Sequence, residues 1–371
     1  MSRRSVAFGI VPSLILVLAA CSSGTSESSA PSEEAEESAA AESEQAAESE
    51  APAAELEDTL TVLCTPQEEW CQVMVERFEE EFGVDTNYVR LSSGEALARL
   101  QAGAEAPEFS VWWGGPADAF VAANAEGLIE PYQSANAEAI LDEQKDPDGV
   151  WTGVYVGALG FCSNTAVLDE LGVEVPDSWD DLADPALEGQ VAIAHPASSG
   201  TSYTALFTQV LRLGGEDEAI EFAQSVHPNI LQYTSSGAAP AEMAGRGEVA
   251  VSVVFSHDCV RNLEAGFSDL EVSFPEQTGY EIGGVALVAG APEPNAAKAW
   301  IDWALEAETQ EIGPNEADSF QLPTNPDAAV HEASVNLDEV DLIEYDFQAA
   351  GEARESLTQR FEDEVAAAPA E

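Results

Sequence analysis

Three segments of the chain place small hydroxyl residues beside a glycine, each between a predicted strand and a predicted helix. The first N–H groups of a helix lack partners within the helix, and the helix dipole makes that end positive. With hydroxyl donors nearby, such ends bind anions without Lys or Arg. One such segment alone is an ordinary helix cap, but three in one α/β chain indicate a shared oxyanion site. The candidates are Ser92, Ser93, Ser198, Ser199, Thr201, Ser235 and Ser236.

Polar residues of a second kind stand beside two further predicted strands. His257 and Asp258 follow the apolar run 249–255, and Glu281 opens the strand 280–288. Carboxylates and imidazole suit the hydroxyls of a polyol, or a metal ion. Adjacent residues of an extended strand point to opposite faces, so we do not expect His257 and Asp258 to form a catalytic dyad. A surface histidine beside a solvated aspartate is the alternative.

Thr65, Trp113 and Tyr233 complete the candidate ligand-binding set. The two aromatic residues adjoin Gly-rich or Ser-rich turns, and an aromatic ring there can stack against a sugar ring. Burial in the core is the alternative for both.

Four cysteines follow the N-terminal region: Cys64, Cys71, Cys162 and Cys259. An even number in an oxidising compartment suggests two disulfides, for which three pairings exist. We favour Cys64 with Cys71, which closes a short loop between a strand and a helix, and Cys162 with Cys259. Free buried thiols are the alternative. No pair has the C-x-x-C spacing of a zinc site, so we expect no metal.

Strand and helix patterns alternate along the chain. Strands are predicted at 59–63, 84–91, 109–113, 154–161, 191–194, 249–255 and 280–288, and helices at 70–82, 94–102, 117–126, 164–171, 201–213, 216–226, 238–246, 294–306 and 352–365. Alternation implies a parallel sheet covered by helices. The last strand is placed to return to the first half, which gives two α/β units joined by two crossings.

The N-terminus predicts export. Arg3 and Arg4 precede a short apolar run, and small residues then lead to Cys21. This arrangement is typical of a bacterial lipoprotein signal, with residues 1–20 removed and Cys21 lipidated. The stretch 21–57 is almost entirely Ser, Glu and Ala, and predicts a disordered acidic tether. We therefore expect an exported protein, lipid-anchored to the outer face of the cell membrane.

The charge excludes some partners. The 371 residues contain 12 Lys and Arg against 70 Asp and Glu, a formal net charge of -58. Such a surface repels nucleic acid and anionic lipid headgroups, so neither is expected to bind. The length is enough for two lobes.

Several of these segments together resemble one family, the ABC-importer solute-binding proteins of the iron(III) type. The resemblance covers roughly residues 58–365 and rests on 111–115, 164–168, 178–182, 196–201, 247–251 and 321–326. It implies an α/β, two-lobed clamp like the periplasmic binding proteins, each lobe a sheet covered by helices, with the ligand in the cleft between the lobes. The expected divisions are 58–156 with 282–325 for lobe 1, 157–281 for lobe 2, and 326–366 as a C-terminal segment bracing both. A monomer without a cofactor would deliver its ligand to a membrane permease.

The chain departs from the iron-binding branch at one place. Family members that ligate ferric iron typically carry two adjacent tyrosines after the strand that is 249–255 here, where this chain has His257 and Asp258. The pair, with Glu281, is more similar to the branch that binds hexose phosphates. That resemblance implies that Asp258 and Glu281 accept hydrogen bonds from sugar hydroxyls while the Ser/Thr segments bind the phosphate. Ferric iron or a phosphonate is the alternative ligand. A secreted hydrolase is a less favoured function, because the chain lacks G-x-S-x-G, H-E-x-x-H and P-loop motifs.

Overall fold

The structure, a computed structural model, describes residues 55–368. Its strands are β1 (Thr59–Cys64), β2 (Asp85–Arg90), β3 (Val111–Pro116), β4 (Ile129–Glu130), β5 (Thr152–Asn164), β6 (Val191–Ala194), β7 (Ile230–Thr234), β8 (Val251–Phe255), β9 (Leu270–Ser273), β10 (Tyr280–Val288) and β11 (Leu322–Pro323). Its helices are α1 (Glu68–Phe82), α2 (Ser93–Gly103), α3 (Ala117–Ala125), α4 (Thr165–Leu171), α5 (Gly200–Leu213), α6 (Glu216–Val226), α7 (Ala239–Gly245), α8 (Ser256–Glu264), α9 (Pro294–Ala304), α10 (Ala307–Gln310), α11 (Ile312–Glu316) and α12 (Phe347–Glu364).

Helix α1 shows how the sequence pattern sets an element. Trp70, Met74 and Phe78 recur at helical spacing and are all buried, so one face of α1 packs on the sheet. The helix ends at Gly83, whose φ of 70° lies in the left-handed region that glycine adopts without strain. The bounds predicted from the sequence are therefore confirmed to within a few residues.

The sheet is mixed, and the prediction of a parallel sheet is wrong in this respect. The strand order is β2-β1-β3-β10-β5-β8-β6-β7, with β4 paired to β10 and with β9 and β11 paired to β5. Strand β1 is parallel to β2 and β3, and β6 is parallel to β7 and β8. Strands β5 and β10 are antiparallel to their neighbours in the path. The alternation of strands and helices predicts only the parallel groups. Strands β5 and β10 lie between these two groups and connect the lobes, and they run antiparallel to the strands beside them.

Two strands connect the halves of the molecule. In β5, residues 152–158 pair with β10, whereas residues 159–163 pair with β8. The other end of β10 pairs with β3, so the chain crosses in β5 and returns in β10, as predicted. We call the half that contains β1, β2 and β3 lobe 1, and the half that contains β6, β7 and β8 lobe 2. The two-lobed α/β architecture is confirmed, and the predicted divisions at 156/157 and 281/282 fall inside the crossing strands.

Each lobe has its own core. In lobe 1, Trp113 and Trp300 lie in one buried cluster, and Trp112 and Phe120 lie in another. In lobe 2, Phe161 and the surrounding aliphatic residues form a third cluster. Burial of these apolar faces holds the strand ends, and with them the polar loops, in fixed positions.

Helix α12 contacts both lobes. The guanidinium of Arg354 forms a buried ion pair with Asp118 of α3, and it lies 4.3 Å from the ring centroid of Tyr203 of α5. The Tyr203 hydroxyl donates to the carbonyl of Ala350 at 2.5 Å. These contacts support the predicted bracing role of the C-terminal segment.

The N-terminal predictions fall mostly outside the described residues. The predicted signal peptide, the lipidation site Cys21 and most of the tether lie there. At the end of the predicted tether, however, residues 55–57 are placed against the protein. The carboxylate of Glu57 accepts hydrogen bonds from the N–H of Asn295 at 3.1 Å and of Ala296 at 2.8 Å, which caps the start of α9. Within residues 55–368, no helix has the length and apolar character needed to cross a membrane.

Candidate functional site

A cleft lies where the polar ends of the elements from both lobes meet, with about 440 Å³ of empty space that includes open solvent. Its lining residues are Thr65, Pro66, Gln67, Arg90, Ser92, Ser93, Gly115, Pro116, Tyr155, Ser199, Gly200, Thr201, Gly237, Ala238, Phe255, His257, Asp258, Glu281 and Gln321. Eight of the predicted ligand-binding residues are among them: Thr65, Ser92, Ser93, Ser199, Thr201, His257, Asp258 and Glu281.

One part of the cleft is built from hydroxyl groups at helix starts. Ser93 begins α2 in lobe 1, and Gly200 and Thr201 begin α5 in lobe 2. A Cβ atom at Gly200 would lie 2.8 Å from Ser93 Oγ, so the two helix starts face each other at short range. A Cβ at Gly237 would overlap Thr201 Oγ1 and lie 2.9 Å from Ser199 Oγ. The glycines thus let hydroxyls and backbone N–H groups converge on one anion-sized space.

Two hydrogen bonds join the lobes at the edge of this space. The N–H of Gly94 donates to the carbonyl of Ser198 at 2.8 Å, and Ser92 Oγ donates to the carbonyl of Ser235 at 3.1 Å. The structure is therefore a closed form of the two lobes on this side.

A second part of the cleft is acidic and lies at the start of α8. His257 and Asp258 belong to this helix and not to an extended strand, so the geometric premise for excluding the pair is wrong. The premise failed because β8 ends at Phe255 and the chain turns at once into a helix. The His257 Nε2 atom lies 3.7 Å from Glu281 Oε1 and 3.9 Å from Asp258 Oδ2. A Cβ at Gly157 would lie 2.7 Å from His257 Nδ1, so this glycine makes room for the imidazole ring.

Burial changes the protonation of this acidic group. Removal from water, followed by the nearby charges of Asp258 and Asp118, raises the pKa of Glu281 well above its usual value. Burial lowers the pKa of His257, against the opposing influence of Asp258. Burial therefore favours the neutral form of both groups, a carboxyl that can donate as well as accept hydrogen bonds and an uncharged imidazole.

Side chains that the sequence reasoning missed hold this group in place. Gln67 Nε2 donates to Asp258 Oδ1 at 2.7 Å, while Gln67 Oε1 accepts from Ser319 Oγ at 3.2 Å and from Gln321 Nε2 at 3.4 Å. Gln67 comes from lobe 1 and Asp258 from lobe 2, so this bond also joins the lobes. The sequence offered one clue, since Gln67 shortly follows the predicted strand 59–63.

Arg90 and Tyr155 were also missed. Arg90 ends β2, and its Nε donates to the carbonyl of Pro66 at 2.9 Å, which holds the guanidinium at the cleft. Arg90 thus places a basic side chain in a cleft for which the sequence predicted an anion site without Lys or Arg. The hydroxyl of Tyr155 accepts from the N–H of Gly115 at 2.8 Å, and burial raises the pKa of Tyr155 well above its usual value. Arg90 lies near the end of the predicted strand 84–91 and close to Ser92, which could have identified it.

Five predicted residues do not line the cleft. Trp113 is 1% exposed and packs edge-on against Trp70, with ring centroids 5.0 Å apart, so it belongs to the core of lobe 1. Tyr233 instead lies beside His227, whose Nδ1 is 3.0 Å from the tyrosine hydroxyl. The remaining three are Ser198, Ser235 and Ser236, which lie in the correct segments but outside the lining. Consecutive turn residues point in different directions, which explains why neighbours within one segment are divided.

Both predicted disulfides are present, one in each lobe. Cys64 bonds to Cys71, and Cys162 bonds to Cys259. The first closes the loop that carries Thr65 and Gln67. The second ties α8, with its acidic residues, to β5.

Comparison with known proteins identifies the family. The family described as bacterial extracellular solute-binding protein matches residues 117–347. An uncharacterised protein of Haemophilus influenzae is 39% identical over 321 residues, which cover 84% of this chain and 92% of the relative. The periplasmic binding protein AfuA of Actinobacillus pleuropneumoniae, solved with exogenous fructose 6-phosphate bound, is 38% identical with a TM-score of 0.80, covering 83% of this chain and 98% of AfuA.

More distant structures share the architecture. The periplasmic binding protein P5PA is 32% identical with a TM-score of 0.80, over 83% of this chain and all of P5PA (100%). The ferric binding protein of Campylobacter jejuni is 18% identical with a TM-score of 0.70, over 82% of this chain and 98% of that protein, which shows the fold alone. On the matched family and these identities, the chain belongs to the bacterial extracellular solute-binding proteins.

Proposed function

We propose that this solute-binding protein captures a sugar phosphate in the cleft and delivers it to an ABC permease. The observation that carries the proposal is the pairing of two chemistries in one cleft. Hydroxyls and helix starts at Ser93, Ser199 and Thr201, with Arg90, suit a phosphate. Asp258, Glu281 and His257 suit the hydroxyl groups of a sugar.

Protonation makes the acidic group compatible with an anionic ligand. A charged Glu281 beside Asp258 would repel a phosphate, whereas burial favours the neutral Glu281 carboxyl by raising its pKa. The neutral carboxyl can donate to one sugar oxygen and accept from another. The identity of 38% to AfuA, which was solved with fructose 6-phosphate bound, supports the same ligand class.

Affinity of the required size follows from a few contacts. Hydrogen bonds to a charged group contribute about 1.5–3 kcal/mol each. Four or five such bonds to phosphate, less the cost of association, reach the ~8 kcal/mol that corresponds to micromolar binding. Ligand contacts to both lobes stabilise the closed form, so binding shifts the population toward closure.

The ferric-iron alternative is less well supported. Ferric iron prefers hard anionic donors such as phenolate. The phenol that lines this cleft, Tyr155, already accepts from Gly115, and burial opposes its ionisation by raising its pKa. A phosphonate keeps the same oxyanion chemistry but would leave the acidic group without sugar hydroxyls to bind.

A calorimetric panel tests the ligand class. Fructose 6-phosphate, fructose, inorganic phosphate, 2-aminoethylphosphonate and ferric citrate are titrated into the purified protein, and copurified ligand is identified by mass spectrometry. We expect micromolar binding of fructose 6-phosphate and at least tenfold weaker binding of fructose and of phosphate, because each makes only half of the contacts. Tight binding of ferric citrate, or of the phosphonate in preference to the sugar phosphate, would contradict the proposal.

The relatives are binding proteins, and we propose that this chain likewise performs no catalysis. Incubation with fructose 6-phosphate should release no inorganic phosphate. Release of inorganic phosphate in proportion to the concentration of this protein would instead favour the alternative function as a hydrolase.

We also propose that the mature protein is lipid-anchored through Cys21. Detergent phase partitioning of membranes and the mass of the N-terminal peptide test this directly. The variant Cys21→Ser should be released to the medium or retain residues 1–20, and a wild-type N-terminal peptide that begins at Cys21 without a lipid would refute the anchor.

A further inference from the structure

A second cavity lies in lobe 2, away from the acidic and hydroxyl groups of the cleft. It has about 520 Å³ of empty space, which includes open solvent, and is bounded by α5, α6 and the strands β6, β7 and β8, with Phe361 of α12 at one side. Most of its walls are aliphatic or aromatic side chains, and none of the lining residues is acidic or basic. In a chain with 70 acidic residues, this wall composition excludes charged ligands and favours apolar ones.

Two buried donors in the walls lack partners among residues 55–368. Trp179 and Gln209 are each 3% exposed, and within this described part of the chain neither Trp179 Nε1 nor Gln209 Nε2 has a hydrogen-bond partner. The amide of Gln209 is oriented by Arg212, whose Nε donates to Gln209 Oε1 at 2.8 Å, so the NH₂ end is directed elsewhere. An unpaired buried donor costs about 1–3 kcal/mol. An acceptor oxygen within the cavity would remove that cost.

The unpaired amide of Gln209 is stronger evidence for a ligand than the unpaired indole of Trp179. Unpaired indole N–H groups also occur in the lobe 1 core, for example at Trp70 and Trp300, so that of Trp179 alone would not indicate a ligand. An amide NH₂ has two donors and a strong preference for partners, and this one lines an apolar cavity.

We propose that this cavity is a second binding site, for a small uncharged molecule with one apolar ring and one acceptor oxygen, such as an aryl ketone. The ring would contact Leu206 and Val253, and the oxygen would accept from Gln209 Nε2. Ile193 and Phe222 in its walls are only partly buried. This inference is independent of the solute in the cleft, since the two sites share α5 and β8 but no lining residue.

The test uses two probes that differ in the acceptor oxygen. Acetophenone and ethylbenzene are titrated into the purified protein while binding is followed by ligand-observed NMR and by melting temperature. We expect saturable binding of acetophenone, about three- to tenfold tighter than that of ethylbenzene, because only the ketone pairs with the amide.

Two variants locate the site. Gln209→Met keeps the side-chain length but removes the donor, so acetophenone should fall to the affinity of ethylbenzene while ethylbenzene is unchanged. Ala205→Phe extends a ring into the cavity and should abolish binding of both probes. Ala223→Phe, at the partly buried α6 wall, serves the same purpose if Ala205→Phe lacks a cooperative melting transition.

Three results would overturn the proposal. One is the absence of saturable binding of either probe, which would mean that solvent alone satisfies Gln209. Another is unchanged binding in the filled variants, which would place the probe elsewhere. The third is an undiminished preference for acetophenone in Gln209→Met, which would remove the amide from the site.

Discussion

At the scale of single residues, the carboxyl groups of Asp258 and Glu281 have different surroundings in the cleft. Asp258 accepts from Gln67 Nε2 at 2.7 Å, whereas the hydrogen bonds of the protein give Glu281 no comparable donor among the described residues. Burial then raises the pKa of Glu281 well above its usual value. One carboxyl acts as an acceptor and the other as a neutral donor and acceptor, and the two roles are separately testable.

Replacing Asp258 tests the acceptor role. The variant Asp258→Asn keeps an oxygen for Gln67 but loses the charge, and fructose 6-phosphate should bind about 10- to 150-fold more weakly, equivalent to about 1.5–3 kcal/mol. Inorganic phosphate should bind no more weakly than to the wild type. Calorimetry measures both, and Glu105→Gln, an exposed position outside the cleft, controls for the lost charge. Undiminished sugar phosphate binding by Asp258→Asn would remove this residue from the site.

Glu281 predicts a pH dependence of stability. Its pKa is higher in the folded than in the unfolded chain, so its contribution to stability is full below the usual carboxyl pKa and is lost as pH rises through the folded pKa. Glu281→Gln cannot ionise, and it should melt at a higher temperature than the wild type at neutral and alkaline pH. The difference should shrink toward pH ~4, close to the ordinary glutamate pKa. Melting curves from acid to alkaline pH check this, and a variant less stable at alkaline pH would disprove it.

At the scale of elements, each disulfide fixes one ligand-binding segment. Cys64–Cys71 spans 7 residues and encloses the loop with Thr65 and Gln67, whereas Cys162–Cys259 spans 97 residues and anchors α8. In the chain-entropy account, a disulfide stabilises by restricting the unfolded chain, with ~2.4 kcal/mol expected for the short loop and ~4.7 kcal/mol for the long one. Stability and ligand affinity should therefore respond differently to the two bonds.

Removing each bond separates the two effects. Cys64→Ser with Cys71→Ser should lower the free energy of unfolding by the smaller amount but weaken fructose 6-phosphate binding, because Thr65 and Gln67 lose their preorganisation. Cys162→Ser with Cys259→Ser should have the larger effect on stability. Urea unfolding and calorimetry compare the pairs. Full affinity in the short-loop variant would show that the bond does not position the cleft.

Helices and strands could be predicted where the spacing of apolar residues within the element itself defines it. The apolar spacing in α1 and the glycine that ends it define that helix from the sequence alone, as does the apolar run in β10. Helix α8 was missed because its polar start looked like the end of a strand. The turn after Phe255 leads into a helix whose own Cys259 and Val260 are buried, and that burial is a property of the tertiary structure.

At the scale of the whole molecule, a net charge of -58 surrounds a cleft that contains Arg90 and helix starts. The long-range field repels an anionic ligand, and the local donors attract it. Salt distinguishes the two because it shortens the screening length from ~10 Å at 0.1 M to ~3 Å at 1 M.

The association rate of fructose 6-phosphate should therefore rise with salt. We expect about a tenfold increase between low and high ionic strength, since like-charge repulsion acts on the approach of the ligand. Stopped-flow tryptophan fluorescence can follow it, because Trp112 Nε1 donates to Thr65 Oγ1 at 2.7 Å and Thr65 lines the cleft. A rate that falls with salt would show that the local field around Arg90 dominates the approach.

The sequence by itself determined the alternating elements, the crossing strand β10, the disulfide partners that were favoured, and which segments contribute to the cleft. These follow from local periodicity, turn residues and family motifs, which act over a few residues each. Only the tertiary structure decided which side chains face the cleft. Ser199, Arg90 and Tyr155 line it, whereas Trp113 is buried in the core of lobe 1. The tertiary structure also decided that the pKa of Glu281 is raised, because that shift depends on burial and on charges from distant parts of the chain. The direction in which a side chain points and the polarity of its surroundings both depend on tertiary packing, so the local sequence does not specify them.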